Sequence, residues 1–555
     1  MFGLFFNFIK KGEAVMAKKY DSLGVMIDFS RNGVMTVPAL KNFLTIIKKM
    51  GYNTLFLYME DTYEVEGEPY FGYMRGRYSI EEMKEIDEFC ASIGIEAIPC
   101  IQTLAHLKTF FKWGTVPVDC SDILLAGDER TYELISNMFK TLSKCFRSKR
   151  IHIGMDEAHL LGKGRYYHEH GHVPSSQIIK DHLDRICEIA KPYGYEMLLW
   201  SDMFIRTWNK DQYYVKELKK VPQEVIDSLP DSVSPVYWDY YGRSVEAFDV
   251  MLKIHKQFRS ETWFAGGAWC WAGWAPLNAF SIRSMCDAMK ACKNNKVKNI
   301  FMTMWGDDGM ECSHFSQLPA LHYIAEYAKG NYDEEKIKSK FKRIVGMDYD
   351  DFMKVDLPNY YDGKNFHYLE NPSKYLLYSD PLLGFLDYTV AEGMNELYAG
   401  YRDELSAVAK KTRKYAYVFN TLAALCDALS IKAELGVKTR RAYQSGDKDE
   451  LVRLANEDYT VLQKKVKALH KAFSKQWHID NKPSGFEIQD GRLGGLVQRL
   501  DTCKARLLGY VSGEIDKLEE LECEILPLYN GEQGKPVHFT CYGRTVTANQ
   551  FTHAM

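Results

Sequence analysis

Between Leu23 and Lys329 the chain alternates two hydrophobic textures. Short, almost unbroken apolar runs read as strands buried on both faces. They span Leu23–Asp28, Thr54–Tyr58, Ile95–Cys100, Ile151–Gly154, Glu196–Trp200, Val233–Tyr237, Trp263–Gly267 and Asn299–Met304. Longer stretches between them carry apolar residues at helical spacing, such as Leu40, Phe43, Leu44 and Ile47 ahead of a stop at Gly51. Ser79-Ile80-Glu81-Glu82 is a capping box that opens a helix through Ile93. Eight such strands joined by crossover helices predict an α/β chain with a closed parallel (β/α)8 TIM barrel over residues 23–330. An open doubly wound sheet is the competing topology, but neither GxGxxG nor GxxxxGK[ST] follows the first strand.

After Asn331 the strand texture disappears. Val418, Leu422, Leu425 and Leu429 repeat at helical spacing toward a stop at Gly436. Leu462, Val466, Leu469 and Phe473 form a second stripe, and Leu493, Leu496, Leu500 and Leu507 a third. Stripes of this kind are helix–helix core, and runs such as Lys464-Lys465-Val466-Lys467 are solvated faces. Residues 331–555 are therefore expected to form a mainly helical C-terminal domain, packed on the barrel and offering a surface for a homodimer. One or two short strands are expected near His538 to Thr547. Residues 1–22 read as a leader, either disordered or a miscalled start with Met16 as the true one. Its apolar segment, Met1 to Ile9, is far short of the roughly 20 residues a membrane span needs.

Composition narrows the function. The 71 basic and 74 acidic residues nearly cancel, which argues against nucleic acid or an anionic membrane as partner. Thirteen cysteines without a CxxC pair fit a reducing compartment, so a cytoplasmic protein without a membrane span is expected. Aromatics make up 14% of the chain; most belong to core, but exposed aromatic faces suit flat ligands such as sugar rings.

Polar and aromatic residues cluster just after the strands. Arg31, Glu60, Asp61, Asp156, Glu157, Trp200, Asp202, Tyr237, Asp239, Trp271, Trp274, Trp305 and Asp307 all stand at C-terminal strand ends, which in a barrel converge on one mouth. Any one of them has a bland explanation as a turn or cap residue, but the set does not. Carboxylates and an arginine set among indoles suit a carbohydrate. A metal centre built from His152, Asp156, His159, His168, His170 and His172 is a rival, although no HExxH or other ligand spacing supports it. The His168–His172 run reads as a polar loop before a helix.

Asp28-Phe29-Ser30-Arg31, His152-Ile153-Gly154-Met155-Asp156-Glu157, Tyr237-Trp238-Asp239 and Trp305-Gly306-Asp307 resemble, in order and strand position, family 20 glycoside hydrolases, the exo-β-N-acetylhexosaminidases. The C-terminal region is similar to that of a bacterial subgroup. The resemblance implies retaining hydrolysis of terminal β-linked N-acetylhexosamine, assisted by the substrate's own acetamido group, with no cofactor and no metal. It implies Glu157 as acid/base, Asp156 as the carboxylate that orients the acetamido N–H, and Tyr237 as donor to the acetamido oxygen. Arg31, Asp239 and Asp307 are then expected on the hydroxyls, Trp200 and Trp305 as walls, and His106 near the catalytic pair. Two positions depart from the family pattern: Met155 stands where glycine is usual, and Asp307 where glutamate is usual. The second leaves open whether gluco- or galacto-configured sugars are taken. Alternatives are a glycosidase with a protein carboxylate nucleophile, a metal-dependent barrel hydrolase, and a sugar-binding barrel without catalysis.

Overall fold

A computed structural model of the chain describes residues 20–362, 369–528 and 531–550. Eight parallel strands close into a barrel: β1 Ser22–Asp28, β2 Thr54–Tyr58, β3 Glu96–Cys100, β4 Arg150–His152, β5 Glu196–Trp200, β6 Val233–Trp238, β7 Trp263–Gly267 and β8 Asn299–Met304. Each strand pairs with the next, and β1 closes on β8. The strands are almost wholly buried because the barrel interior lies on one face and the helices on the other.

The interior is layered. Arg150 pairs with Glu96, donates to Ser22 Oγ at 3.0 Å and lies over Trp263 at 5.3 Å. Above it Phe56 packs on Phe301 with ring centroids 4.3 Å apart. Trp200 lies 5.9 Å from Phe301 and 6.0 Å from Trp305, so indoles form the top layer. The register aligns Asp28 with Tyr58, Tyr58 with Cys100, and Cys100 with His152. The residues that follow these four therefore leave the barrel at one level.

The helical region is as expected, with its three stripes buried. Its main helices are Met394–Ala409, Ala416–Gln444, Thr460–Asp480 and Phe486–Ser512. It shares one continuous apolar core with the barrel: Trp274, read as a mouth residue, instead packs against Phe473 at 4.7 Å. Four expectations need correction. Gly436 does not end its helix, which runs on to Gln444; it is glycine because a Cβ there would meet the Asp387 carboxylate at 2.8 Å. No strand forms at 538–547, where Tyr542–Thr545 makes a helical turn instead. A two-stranded hairpin, Val118–Cys120 with Ile123–Leu124, was not foreseen. His168 and His170 belong to a short exposed helix, Arg165–His170. Most of the expected leader lies outside the described residues; the first barrel strand starts at Ser22.

Replacing Gly436 by alanine should destabilise the protein by about 1–3 kcal/mol through overpacking, even though alanine is the better helix former by roughly 1 kcal/mol. Asp387 lies against both Gly436 and Gly384, so an added methyl must displace its carboxylate. Urea unfolding measures the difference, and an unchanged or raised midpoint would show that the carboxylate moves aside.

Candidate active site

The mouth holds an open cavity lined by Arg31, Tyr58, His106, Asp156, Glu157, Trp200, Trp238, Tyr240, Tyr241, Trp271, Trp305 and Asp307. The segment after β4 supplies the acid pair. Gly154, Met155 and Glu157 all have left-handed backbones, with φ of 73°, 72° and 50°. Gly154 must be glycine, since a Cβ would lie 2.1 Å from Gln102 Oε1. Met155, where the family pattern has glycine, is a conformation that costs an ordinary residue about 1 kcal/mol or more. This irregular path turns two neighbouring carboxylates into different surroundings.

Asp156 sits in the wall. Gln102 Nε2 donates to its Oδ1 at 2.8 Å, and His106 Nε2 stands 3.3 Å from its Oδ2, off the line of a well-formed hydrogen bond. Gln102 also donates to the Tyr58 hydroxyl at 3.0 Å and accepts the Met155 N–H at 3.2 Å. Burial pushes the Asp156 pKa up, but the His106 charge and the donors facing it hold it below its ordinary value. Burial likewise works against the His106 charge, yet Asp156 and Glu60 outweigh it and raise its pKa to about 10. Glu157, by contrast, projects with 45% of its side chain exposed, 3.9 Å from His106.

A third carboxylate lies behind the pair. Asp202, fully buried after β5, accepts the Glu157 N–H at 3.1 Å. Burial first, and then the Asp156 charge, push its pKa up to about 7. On the opposite side Arg31 is held by Asp28 at 3.1 Å and Glu60 at 3.3 Å, over the rings of Tyr58 and Trp305. Asp28 Oδ2 also accepts the Gly306 N–H at 2.8 Å, which ties the first strand to the loop after the last. Asp307 opens onto the cavity among crowding protein atoms. Their desolvation, and the Asp28 and Glu157 charges, raise its pKa to about 6 against the pull of Arg31.

Of the residues singled out from the sequence, Arg31, His106, Asp156, Glu157, Trp200, Trp305 and Asp307 meet at the cavity. Tyr237 and Asp239 do not. Tyr237 is fully buried, stacks on His255 at 4.9 Å and donates to Asp239 Oδ2 at 2.8 Å. Asp239 Oδ1 accepts the N–H groups of Tyr241 and Gly242, each at 2.9 Å. Alternation along β6 points Tyr237 to the helical layer, so the mouth receives Trp238, Tyr240 and Tyr241 instead. Tyr58 and Gln102 were also overlooked. Tyr58 is the last residue of its own strand, a place that a search among residues after the strands passes over. His152 is buried beside Trp200, with ring centroids 4.4 Å apart, and burial lowers its pKa to about 3. Among the described residues no group of three or more His, Cys, Asp or Glu is arranged to hold a metal ion.

A (β/α)8 mouth that joins paired carboxylates to an indole-walled cavity has the construction of a glycoside hydrolase. Residues 350–540 match the family profile of the glycoside hydrolase 20C C-terminal domain. Hexosaminidase D of Bos taurus is 23% identical over 343 residues, covering 56% of this chain and 92% of that protein. Hexosaminidase D of Homo sapiens is 24% identical over 346 residues, covering 56% of this chain and 66% of that protein. A solved β-N-acetylhexosaminidase from Bacteroides fragilis aligns with a TM-score of 0.45 and 18% identity over 59% of this chain and 70% of that one. The profile match and these relatives together support a family 20 glycoside hydrolase.

The crowding of Asp202 predicts a pH effect. Its folded pKa of about 7 lies above its ordinary 3.8, so the native state keeps a proton that the unfolded chain has already released. Its contribution to stability is therefore fullest below about pH 4 and declines as pH rises through 7. Asp202→Asn, which cannot ionise but still accepts the Glu157 N–H, should gain on the order of 2 kcal/mol relative to the wild type between pH 5 and pH 8. Denaturant unfolding at the two pH values tests this; a constant difference would mean that Asp202 is already ionised at pH 5.

Proposed function

We propose that the protein is an exo-acting, retaining β-N-acetylhexosaminidase that releases terminal N-acetylglucosamine, N-acetylgalactosamine or both by substrate-assisted catalysis. The observation that carries this reading is the unequal setting of Asp156 and Glu157. The wall carboxylate, fixed by Gln102 and His106, suits binding; the projecting one suits proton transfer.

With a terminal sugar seated over Trp200 and Trp305, the 2-acetamido oxygen attacks the anomeric carbon while Glu157 protonates the departing glycosidic oxygen. Asp156 accepts the acetamido N–H and offsets the positive charge that spreads onto that nitrogen. Glu157 then takes a proton from the water that opens the oxazolinium ion, and two inversions leave the configuration retained. The phenol that faces the acetamido oxygen is Tyr240 in this reading, because Tyr237 is committed to Asp239. Arg31 and Asp307 take the sugar hydroxyls. Asp239 is turned toward its own loop, which speaks against it as the nucleophile of a double displacement.

All thirteen cysteines are free, and among the described residues no helix is long and apolar enough to cross a membrane. Both facts support the proposed cytoplasmic residence. Pairing of two copies through the helical region remains part of the proposal and is read by sedimentation.

In a panel of chromogenic glycosides, cleavage should be confined to N-acetylhexosaminides, and a thiazoline mimic of the oxazoline should inhibit. Cleavage of the non-acetylated parents with no thiazoline inhibition would favour a protein nucleophile. Glu157→Gln should lower turnover of poor leaving groups by about 10²–10⁴-fold. Tyr240→Phe should lower kcat by about 10²-fold, while Tyr237→Phe costs far less. The reverse ranking of the two tyrosines would return the acetamido contact to Tyr237.

A further inference from the structure

The loop after β8 carries Trp305 and Asp307 into the cavity, yet the barrel alone does not hold it. Its backbone is irregular, with φ of 22° at Asp307, 107° at Gly309 and 54° at Met310. Three separate segments of the helical region grip it from behind. Lys374, 1% exposed, reaches Asp308 at 3.0 Å and Glu311 at 2.9 Å. Arg492 donates to the Asp308 carbonyl at 2.7 Å and pairs with Glu311 at 3.1 Å. The Tyr542 N–H donates to Asp308 Oδ2 at 2.6 Å, and the Arg492 guanidinium lies 4.5 Å from the centre of the Tyr542 ring. Gln489 Nε2 donates to the Gly309 carbonyl at 2.8 Å. A Cβ on Gly309 would stand 2.8 Å from Arg492 Nη1 and 3.1 Å from Gln489 Nε2, so the loop is shaped to admit the clamp.

Two acids and two bases in this cluster balance, and Glu311 and Lys374 are almost fully buried. Paired buried charges of this kind are weak contributors to stability but strict about geometry. Asp308, the residue they hold, adjoins Asp307, which lines the cavity.

We propose that the helical region is a specificity element of the active site, with Arg492 as a positioning residue that sets Asp307 and through it the discrimination between sugars epimeric at C4. The proposal rests on the reading of Asp307 as a hydroxyl-binding group. A mobile carboxylate accepts an axial or an equatorial hydroxyl alike; a fixed one does not.

The test uses the full chain and the nitrophenyl glycosides of N-acetyl-β-glucosamine and N-acetyl-β-galactosamine. Arg492→Met should raise KM about tenfold for the preferred epimer, with a smaller change in kcat, and should bring the ratio of kcat/KM between epimers toward unity. Arg492→Lys should recover part of that ratio. Because Arg492 acts through Asp307, the double variant with Asp307→Asn should discriminate no worse than Asp307→Asn alone. If Arg492→Met does not fold, Gln489→Leu, which leaves the charges intact, should shift the ratio in the same direction by about threefold. A folded Arg492→Met or Gln489→Leu with an unchanged epimer ratio, or losses that simply multiply in the double variant, would overturn the proposal. Failure of the underlying reading has a different signature: the wild type would cleave neither epimer, and the positioning role would fall with it.

Discussion

A carboxylate kept ionised inside a mostly buried wall is the constraint on which the mouth of this barrel depends. Burial opposes the charge on Asp156, and the His106 charge, with the donors that face the carboxylate, reverses that opposition. Several neighbouring features follow from it. The backbone of Gly154 and Met155 is bent into left-handed conformations so that Asp156 can reach Gln102. His106, itself at φ 59°, is held charged in a place where an isolated imidazole would be neutral. Asp202, lying beside two other carboxylates, is pushed toward protonation. The charge is thus concentrated on the wall of the cavity.

The scaffold makes this arrangement possible by levelling the strand ends. Asp28, Tyr58, Cys100 and His152 stand in one row of the register, and the side chains just beyond them meet without long loops. Below, the layered Arg150, Trp263, Phe56 and Phe301 fill the barrel, so the cavity rests on a packed floor. Above, the helical region reaches back to the last loop through Lys374, Gln489 and Arg492. Barrel and helices thus form one body around the site.

Much of this was legible from the sequence because it depends on strong periodicities. All eight strands are where apolar runs meet turn signals, and the three helical stripes are buried as their spacing requires. Seven of the nine singled-out site residues reach the cavity, since placement after a parallel strand is nearly enough to put a side chain at the mouth. The two that do not, Tyr237 and Asp239, depend on strand parity. A single residue of alternation decides between helix layer and mouth, and motif spacing does not carry it. Gly436 misled for a related reason: glycine stops helices, but it also admits a close neighbour, and the neighbour, Asp387, lies 49 positions away in the chain. The clamp on the last loop joins segments far apart in sequence, and no local pattern announces it.

In the proposed reaction the substrate's acetamido oxygen, and not a protein carboxylate, forms the bond to the anomeric carbon. The most direct measurement is kcat/KM along a series of aryl glycosides whose N-acetyl group carries zero, one, two and three fluorines. Fluorine withdraws electron density from the amide carbonyl while changing its size little. Attack by the acetamido oxygen should give a steep, progressive fall in log kcat/KM with each fluorine; a flat series from an active enzyme would point to a protein nucleophile instead.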